Sequence, residues 1–427
     1  LVLVVLFGLM LLGIPVAFAI LSAGMAYLAT TGGSMLVVAQ RLIYGLNSFT
    51  LLAVPLFILV GNLMDFGGIS KRLTDWAKSI LGWLPGGLGI VTVFSCAIFA
   101  ALTGSGPATV AAIGSIMLPS MLKAGYSRET SAGLVASAGA LGPIIPPSIP
   151  MIIYGVTMNL SIPAMFMAGV VPGLVIALAL SLVNVVFAYR NPEVLKHAKT
   201  MKFDFKESMK LFWKALGALG LPVLILGGIY GGIFTPTESA AVGIVYALIL
   251  GFALKELKVK DLPKILINSL KTSTMVNFII AAASLFSWVV SKSQIGIVIS
   301  NAFISFVGGS QALYLFVLVV VLLIVGCLMD NVAATLILAP ILIPVGIALG
   351  CNELHIGMLF CICLVVGFVT PPFGYNLFTA VSISGLNFKQ IVKGALPFLL
   401  TEILLLFVFA YVPGIITWLP RLMGYGY

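Results

Sequence analysis

The sequence predicts an all-α polytopic membrane protein made of two inverted repeats, each carrying a re-entrant helical hairpin and a broken helix. Three observations carry that prediction: an apolar composition, basic residues confined to segments between apolar runs, and Gly and Pro positions that recur at one offset. Of 427 residues, 61% are hydrophobic and only 8% charged. A soluble domain of this size could not cover its surface with so few charges. A helix needs about 20 apolar residues to cross the hydrocarbon, and such stretches recur from end to end. Leu1–Ala29 is too long for the core of a signal peptide and reads as the first span.

The net charge of +10 admits nucleic acid or an anionic membrane surface as a partner. The distribution of the charge decides for the lipid bilayer. Basic residues cluster at Lys71, Arg72 and Lys78, at Lys123 and Arg128, from Arg190 to Lys214, from Lys255 to Lys271, and at Lys389 and Lys393. These read as cytoplasmic loops under the positive-inside rule. No nucleic-acid partner is expected. The five cysteines (Cys96, Cys327, Cys351, Cys361 and Cys363) show no metal-ligand spacing and read as packing residues.

The internal repeat lies in one register. Pro119 and Pro344, Gly142 and Gly367, Pro146-Pro147 and Pro371-Pro372, Gly169 and Gly394, and Pro172 and Pro397 each differ by 225 positions (344 − 119, for example). Gly and Pro constrain the backbone, so a shared register records shared geometry.

Charge then orients the repeats. Gly87–Leu102 and Ala108–Leu122 are short apolar arms joined by Thr103–Pro107, with basic segments at both outer ends. A hairpin that enters and leaves on the cytoplasmic side keeps both basic segments inside. The second hairpin, Ala312–Leu328 and Val332–Leu349, turns at Met329-Asp330-Asn331, and its flanks have no Lys or Arg. It therefore enters from the opposite side. Only Arg41, Lys292 and Arg421 then lie outside, leaving 19 of 22 basic residues inside (22 − 3). One linking span, Lys214–Ile233, inverts the second repeat. Inverted repeats with broken helices are the architecture of secondary carriers, with the site near the midplane.

Each repeat supplies two breaks: Thr103–Thr109 with Ala140–Ser148, and Asp330–Thr335 with Gly367–Asn376. Freed carbonyls beside Ser and Thr hydroxyls are hard oxygen ligands that suit Na+, while half-helix N-termini suit an anion. One hairpin break and one helix break per repeat give two pseudosymmetric cation sites.

The runs Thr103–Thr109, Gly142–Ser148, Pro236-Thr237-Glu238-Ser239-Ala240-Ala241, Asp330–Thr335 and Gly367–Asn376 resemble the large membrane subunit of tripartite ATP-independent periplasmic (TRAP) transporters. The resemblance covers essentially the whole chain. It implies an elevator-type carrier of the bacterial inner membrane, with a scaffold and a moving transport domain. It also implies Na+-driven uptake with two or more coupled ions, no organic cofactor, a small four-helix membrane subunit, and a periplasmic substrate-binding protein. Substrates of such systems are mostly organic acids, and this chain looks nearest to sialic-acid members.

On this layout the first repeat covers 1–200, with scaffold at 1–86, hairpin and broken helix at 87–158, a span at 163–189 and a basic loop at 190–210. The second covers 211–427, with linking span and scaffold at 211–271, hairpin and broken helix at 294–388, and a last span at 392–418. Thr103 and Ser105, with carbonyls of Gly142, Ile145 and Pro146, are expected to hold one Na+. Asn331 and Thr335, with carbonyls of Gly367 and Thr370, are expected to hold the other. Asp330 matches Ser105 in register; it faces substrate or ion, unless it only caps the helix that follows. Ser148, Asn376 and Lys292 complete the expected substrate contacts. Glu238 reads as a helix-start residue, and Asp65 and Glu402 as scaffold or subunit contacts.

An enzyme is not expected. Gly104-Ser105-Gly106 offers a serine but no base in reach, and Asp330 has no second intramembrane Asp matched to it. A channel would not need two opposed hairpins, and no Gly-x-x-x-x-Gly-Lys-Ser/Thr loop is present for ATP. The rival that remains is a Na+- or H+-coupled dicarboxylate or anion carrier that works without a binding protein.

Overall fold

The computed structural model describes residues 2–426, which are helices and connecting turns with no strand among them. Among the described residues, eight helices are long and apolar enough to cross a bilayer. The span expected over Leu1–Ala29 is instead two helices, α1 (Val2–Leu11) and α2 (Val16–Thr31); Leu1 itself lies outside the described residues. Gly13, at φ 79°, turns the chain, and Pro15 has no N–H with which to continue the ladder.

After α3 (Leu36–Leu46) and a tight turn at Phe49–Leu52 comes α4 (Ala53–Phe66). The loop expected at Lys71–Lys78 is an amphipathic helix, α5 (Ile69–Leu81). Ile69, Leu73 and Ala77 recur every fourth residue and are buried, while Arg72 reaches Glu256 at 3.0 Å. Next come α6 (Gly87–Thr103) and α7 (Gly106–Lys123). They run antiparallel over their full length. Thr92 touches Met121 at the base (3.4 Å) and Thr103 meets Thr109 at the tip (3.2 Å).

The first repeat continues through α8 (Arg128–Ala138), an irregular stretch to Ser148, α9 (Ile149–Met158) and α10 (Ile162–Tyr189). The basic loop expected at 190–210 carries a helix of its own, α11 (Pro192–Thr200), which the Asn191 side chain opens by accepting from the Glu193 N–H at 3.1 Å. The link to the second repeat is α12 (Phe205–Tyr230), followed by α13 (Pro236–Ala253). Thr235 and Glu238 close a reciprocal cap at the start of α13: the Thr235 N–H and hydroxyl each donate to Glu238 Oε2 at 2.8 Å. Glu238→Ala should therefore lower the amount of folded protein in the membrane while leaving ion dependence of uptake unchanged, as detergent size-exclusion profiles and uptake assays would show.

The second repeat is built from α14 (Leu262–Ser293), α15 (Ile295–Val307), α16 (Gln311–Leu328), α17 (Asn331–Ala348), α18 (Glu353–Gly367), α19 (Tyr375–Ser384), α20 (Phe388–Tyr411) and α21 (Gly414–Leu422). The span expected over 392–418 thus ends at Tyr411, and Pro413 opens α21. The 225-residue register holds in three dimensions. Adding 225 to the bounds of α7, 106 and 123, gives 331 and 348, the bounds of α17. The second hairpin closes as the first does, with Tyr314 donating to the Leu342 carbonyl at 3.0 Å.

Two departures from symmetry matter. α14 runs unbroken for 32 residues, about 48 Å at 1.5 Å per residue. Its counterpart is split into α3 and α4. The repeats also exchange parts: α19 packs on α7 of the first hairpin, α9 packs on α17 of the second, and α20 crosses α8 at Gly394 and Gly133.

Candidate functional site

The two hairpin tips meet across a cavity of about 270 Å³. Thr103, Ser105 and Pro107 line it from the first tip, and Asp330, Asn331 and Val332 from the second. Its opposite wall is one face of α4 (Ile58, Gly61, Asn62 and Asp65) with Thr272, Met275 and Val276 of α14. Asn62 Nδ2 donates to Ser269 Oγ at 2.8 Å and ties the two wall helices together. Gly61 lets α4 come close: a Cβ there would stand 3.2 Å from Thr103 Cα.

At the first tip, Gly104 ends α6 in the left-handed region (φ 59°) and Ser105 opens α7 from an extended backbone. Thr109 closes the turn by donating its hydroxyl to the Ser105 carbonyl at 2.8 Å. Gly142 packs directly on this tip, since a Cβ there would meet the Ser105 carbonyl oxygen at 2.6 Å. Thr103, Ser105 and Gly142 are thus together. Ile145 is not among them in its side chain, which turns to an apolar groove with Ile90 and Leu174. Pro146 is buried, and both Pro146-Pro147 and Pro371-Pro372 are cis.

At the second tip, Asp330 Oδ1 accepts from the Val332 N–H at 2.8 Å and so caps α17 while lining the cavity. Capping and facing the cavity are therefore both true of this residue. Asn331 and Thr335 follow on the buried side of the first turn, at i and i+4. Neither amide atom of Asn331 nor the Thr335 hydroxyl has a hydrogen-bond partner. A buried polar atom left unpaired costs about 1–3 kcal/mol, so three of them on one turn mark a place shaped for something else. Oδ1 of Asn331 and Oγ1 of Thr335 are oxygens of the kind that an alkali cation takes.

The second break sits differently from the first. Gly367 packs on Gly326 and Cys327, one turn short of the tip, and its carbonyl accepts from the Thr370 N–H at 3.0 Å. The Thr370 hydroxyl is bonded back to the Val366 carbonyl at 3.0 Å. Phe368 and Tyr375, in T-shaped contact at 5.2 Å, are what this break presents to the cavity.

Three expected substrate contacts lie elsewhere. Ser148 is fully buried, accepts from the Met151 N–H at the start of α9 and donates to the Pro143 carbonyl. Asn376 is fully buried at the first tip, not the second, because α19 crosses to α7. Its Nδ2 donates to the Ala136 carbonyl at 3.0 Å, and its Oδ1, unpaired, faces Gly106. Lys292 is exposed in the last turn of α14, 16 residues beyond Val276 (292 − 276), or about 24 Å along the helix.

The sequence reading missed the α4 wall. Ile58, Gly61, Asn62 and Asp65 fall at i, i+3, i+4 and i+7, a small and polar stripe on an otherwise apolar span, which is the signal that was there to find. Asp65, read from the sequence as a scaffold or subunit contact, lines the cavity from α4. Glu402, by contrast, is fully buried away from it, with both carboxylate oxygens unpaired.

Opposed hairpins in two inverted repeats, meeting tip to tip over a mostly apolar cavity with a few polar groups at the tips, define a membrane carrier. The chain belongs to the tripartite ATP-independent periplasmic transporter family as its DctM component, whose family model matches residues 3–415. It is 39% identical over 405 residues to the C4-dicarboxylate TRAP transporter large permease protein DctM of Pseudomonas aeruginosa, covering 95% of this chain and 94% of that one. It is also 39% identical to the isethionate TRAP transporter permease protein DctMQ of Oleidesulfovibrio alaskensis, with 95% of this chain on 64% of that longer protein. Identity to the sialic acid TRAP transporter large permease protein SiaM of Vibrio cholerae is 34%, covering 98% of both.

Among solved structures, the chain resembles the YdaH transporter of Alcanivorax borkumensis (TM-score 0.59, 14% identity, 94% of this chain and 89% of that one). It also resembles MtrF of Neisseria gonorrhoeae (TM-score 0.60, 16% identity, 92% and 85%). At these identities the likeness is one of fold. The protein is therefore a large permease of a TRAP transporter, an integral protein of the bacterial inner membrane and not an enzyme.

Proposed function

We propose that the chain imports a small organic-acid anion driven by Na+, with the hairpins and broken helices moving as one block against the remaining helices. The observation that carries the ion coupling is the set of unpaired buried oxygens at both tips: Asn331 Oδ1 and Thr335 Oγ1 at the second, Asn376 Oδ1 at the first. Asp330 adds a carboxylate between them. Such oxygens gain from a cation what they cannot gain from each other.

Sialic acid is one acid to assay, on the resemblance stated above. The DctM relatives named for C4-dicarboxylates make succinate the other acid to assay. Delivery by a periplasmic binding protein, and assembly with a small four-helix membrane subunit, complete the proposal; the greater length of the DctMQ relative fits a fused second subunit. Uptake by the assembled system in proteoliposomes should stop when the Na+ gradient is collapsed. Uptake unchanged without Na+ but abolished by a protonophore would sink the coupling. Uptake unchanged without the binding protein would favour the simpler carrier.

Thr335→Val isolates the orphaned hydroxyl. In Na+-free buffer the variant should be as stable as the parent, or more so by about 1 kcal/mol, because no bond is lost. It should lose most of the stabilisation that Na+ confers, which for a site filled at 100 times its Kd amounts to about 2.7 kcal/mol. Thermal melts with and without Na+ give both numbers. A marked destabilisation without Na+ would mean that the hydroxyl has a structural role.

A further inference from the structure

A second cavity, of about 500 Å³, opens between α3 and the far half of α14 on one side and α9 and α17 on the other. Its wall is the repeat image of the first cavity's wall. Ile58, Asn62, Thr272 and Val276 line the first. The residues 225 positions away (58 + 225 = 283; 276 − 225 = 51), Ala283, Ser287, Asn47 and Leu51, line the second. α4 descends to the cytoplasmic Lys71, and α14 rises from the cytoplasmic Lys258–Lys271. On the positive-inside reading of those basic segments, residues 41–51 and 280–291 stand on the outer side, and the first cavity lies toward the cytoplasm.

The two cavities differ in charge. Among the described residues, Asp65 and Asp330 line the inner one, with no basic residue, and Arg41 lines the outer one, with no acid. Its repeat counterpart, Leu266 (41 + 225), is not in the inner wall. The Arg41 guanidinium lies over two rings, 5.7 Å from the centroid of Tyr44 and 5.6 Å from that of Trp288. Ring faces steady a cation but accept none of its five N–H donors in the plane. Among the described residues no carboxylate pairs with it. Asn47, Thr157, Asn159 and Ser287 share the cavity and make it polar.

We propose that this outer cavity is an entry site for a small organic carboxylate, with Arg41 taking the acid group in a two-pronged, charge-assisted pair while Tyr44 and Trp288 hold the guanidinium flat. This rests on the reading of the chain as an organic-acid importer. Because the site lies away from the hairpin tips, it binds without Na+. A positive charge at the mouth of a low-dielectric cleft raises the local concentration of anions and their rate of arrival, and salt weakens the effect.

The test uses the permease purified with its membrane partner in lipid nanodiscs and titrated, in Na+-free low-salt buffer, with succinate and separately with N-acetylneuraminate. Trp288 emission is the readout, and Trp288→Phe identifies its share of the signal. At least one anion should give a saturable Trp288 change, weakened about tenfold or more in Arg41→Gln, less in Arg41→Lys, and weakened by added salt in the parent. In uptake assays with the same anion, Arg41→Gln should raise KM and leave kcat within about twofold. The proposal is overturned by binding that Arg41→Gln leaves intact, by the absence of any Trp288 response to both anions, or by a loss in kcat matching that in KM. Uptake that proves independent of Na+ would overturn the coupling reading instead and leave the titration standing.

Discussion

Asp330→Asn should raise the Na+ concentration for half-maximal uptake about tenfold or more, or abolish uptake, in protein that still inserts and folds. The substitution separates the two roles that Asp330 combines. Asn caps a helix about as well as Asp, so the bond now made by the Val332 N–H to Oδ1 can be remade by the amide oxygen. What disappears is the negative charge on the cavity. Losing a charged ligand costs about 1–3 kcal/mol, and 1.4 kcal/mol is already a factor of ten in affinity. Ser105→Ala, which removes a neutral hydroxyl at the register-matched position, should act in the same direction by only a few-fold. Unchanged Na+ and substrate dependence in Asp330→Asn would reduce the residue to a helix cap and move the ion site elsewhere.

The second large effect concerns motion. A cysteine pair at Gly61 and Thr103 should cross-link on mild oxidation, stop uptake completely, and regain on reduction whatever rate the reduced pair shows. The positions suit a disulfide: a Cβ on Gly61 would lie 3.6 Å from Thr103 Cβ, within the usual span of about 3.5–4.5 Å. If the first tip and α4 must part in each cycle, fixing them ends transport. Full uptake while cross-linked would mean that the first tip and α4 do not part during transport, against the proposed elevator.

How much of this was legible in the sequence follows from what kind of physics set each feature. The hairpins were legible because their turns interrupt apolar sequence, where only Gly, Pro and small polar residues can end a helix; the arms begin and end within a few residues of the expected limits. The break between α1 and α2 was written in Gly13-Ile14-Pro15 but outweighed by the hydropathy on either side. α5 was hidden by its own charges, which masked the four-residue recurrence of Ile69, Leu73 and Ala77.

In the candidate site, Thr103, Ser105, Asp330 and Asn331 were found because each stands at a break, and local sequence determines breaks. Asn62, Asp65 and Thr272 were not, because only the packing of α4 and α14 against the tips brings them there. Asn376 was assigned to its neighbours in sequence, whereas the exchange of half-helices puts it beside Gly106. Lys292 stands outside the first cavity for a related reason. Closeness in sequence to the second hairpin says nothing about position along a 32-residue rigid helix.

The exchange of half-helices also sets a schedule for synthesis. The first hairpin is complete at Lys123, yet α19, which packs on α7, begins only at Tyr375. The ribosome must add 252 residues in between (375 − 123), which at about 5–20 residues per second takes roughly 13–50 s. Throughout that interval the nascent first repeat sits in the bilayer with Gly106 and the α7 face lacking the side chains that will cover them. The second hairpin waits far less, since α9 is already made when α17 emerges. Stalled or truncated chains ending before Tyr375 should therefore be the ones that membrane quality-control proteases clear fastest, and chains ending just past Tyr411 should be spared.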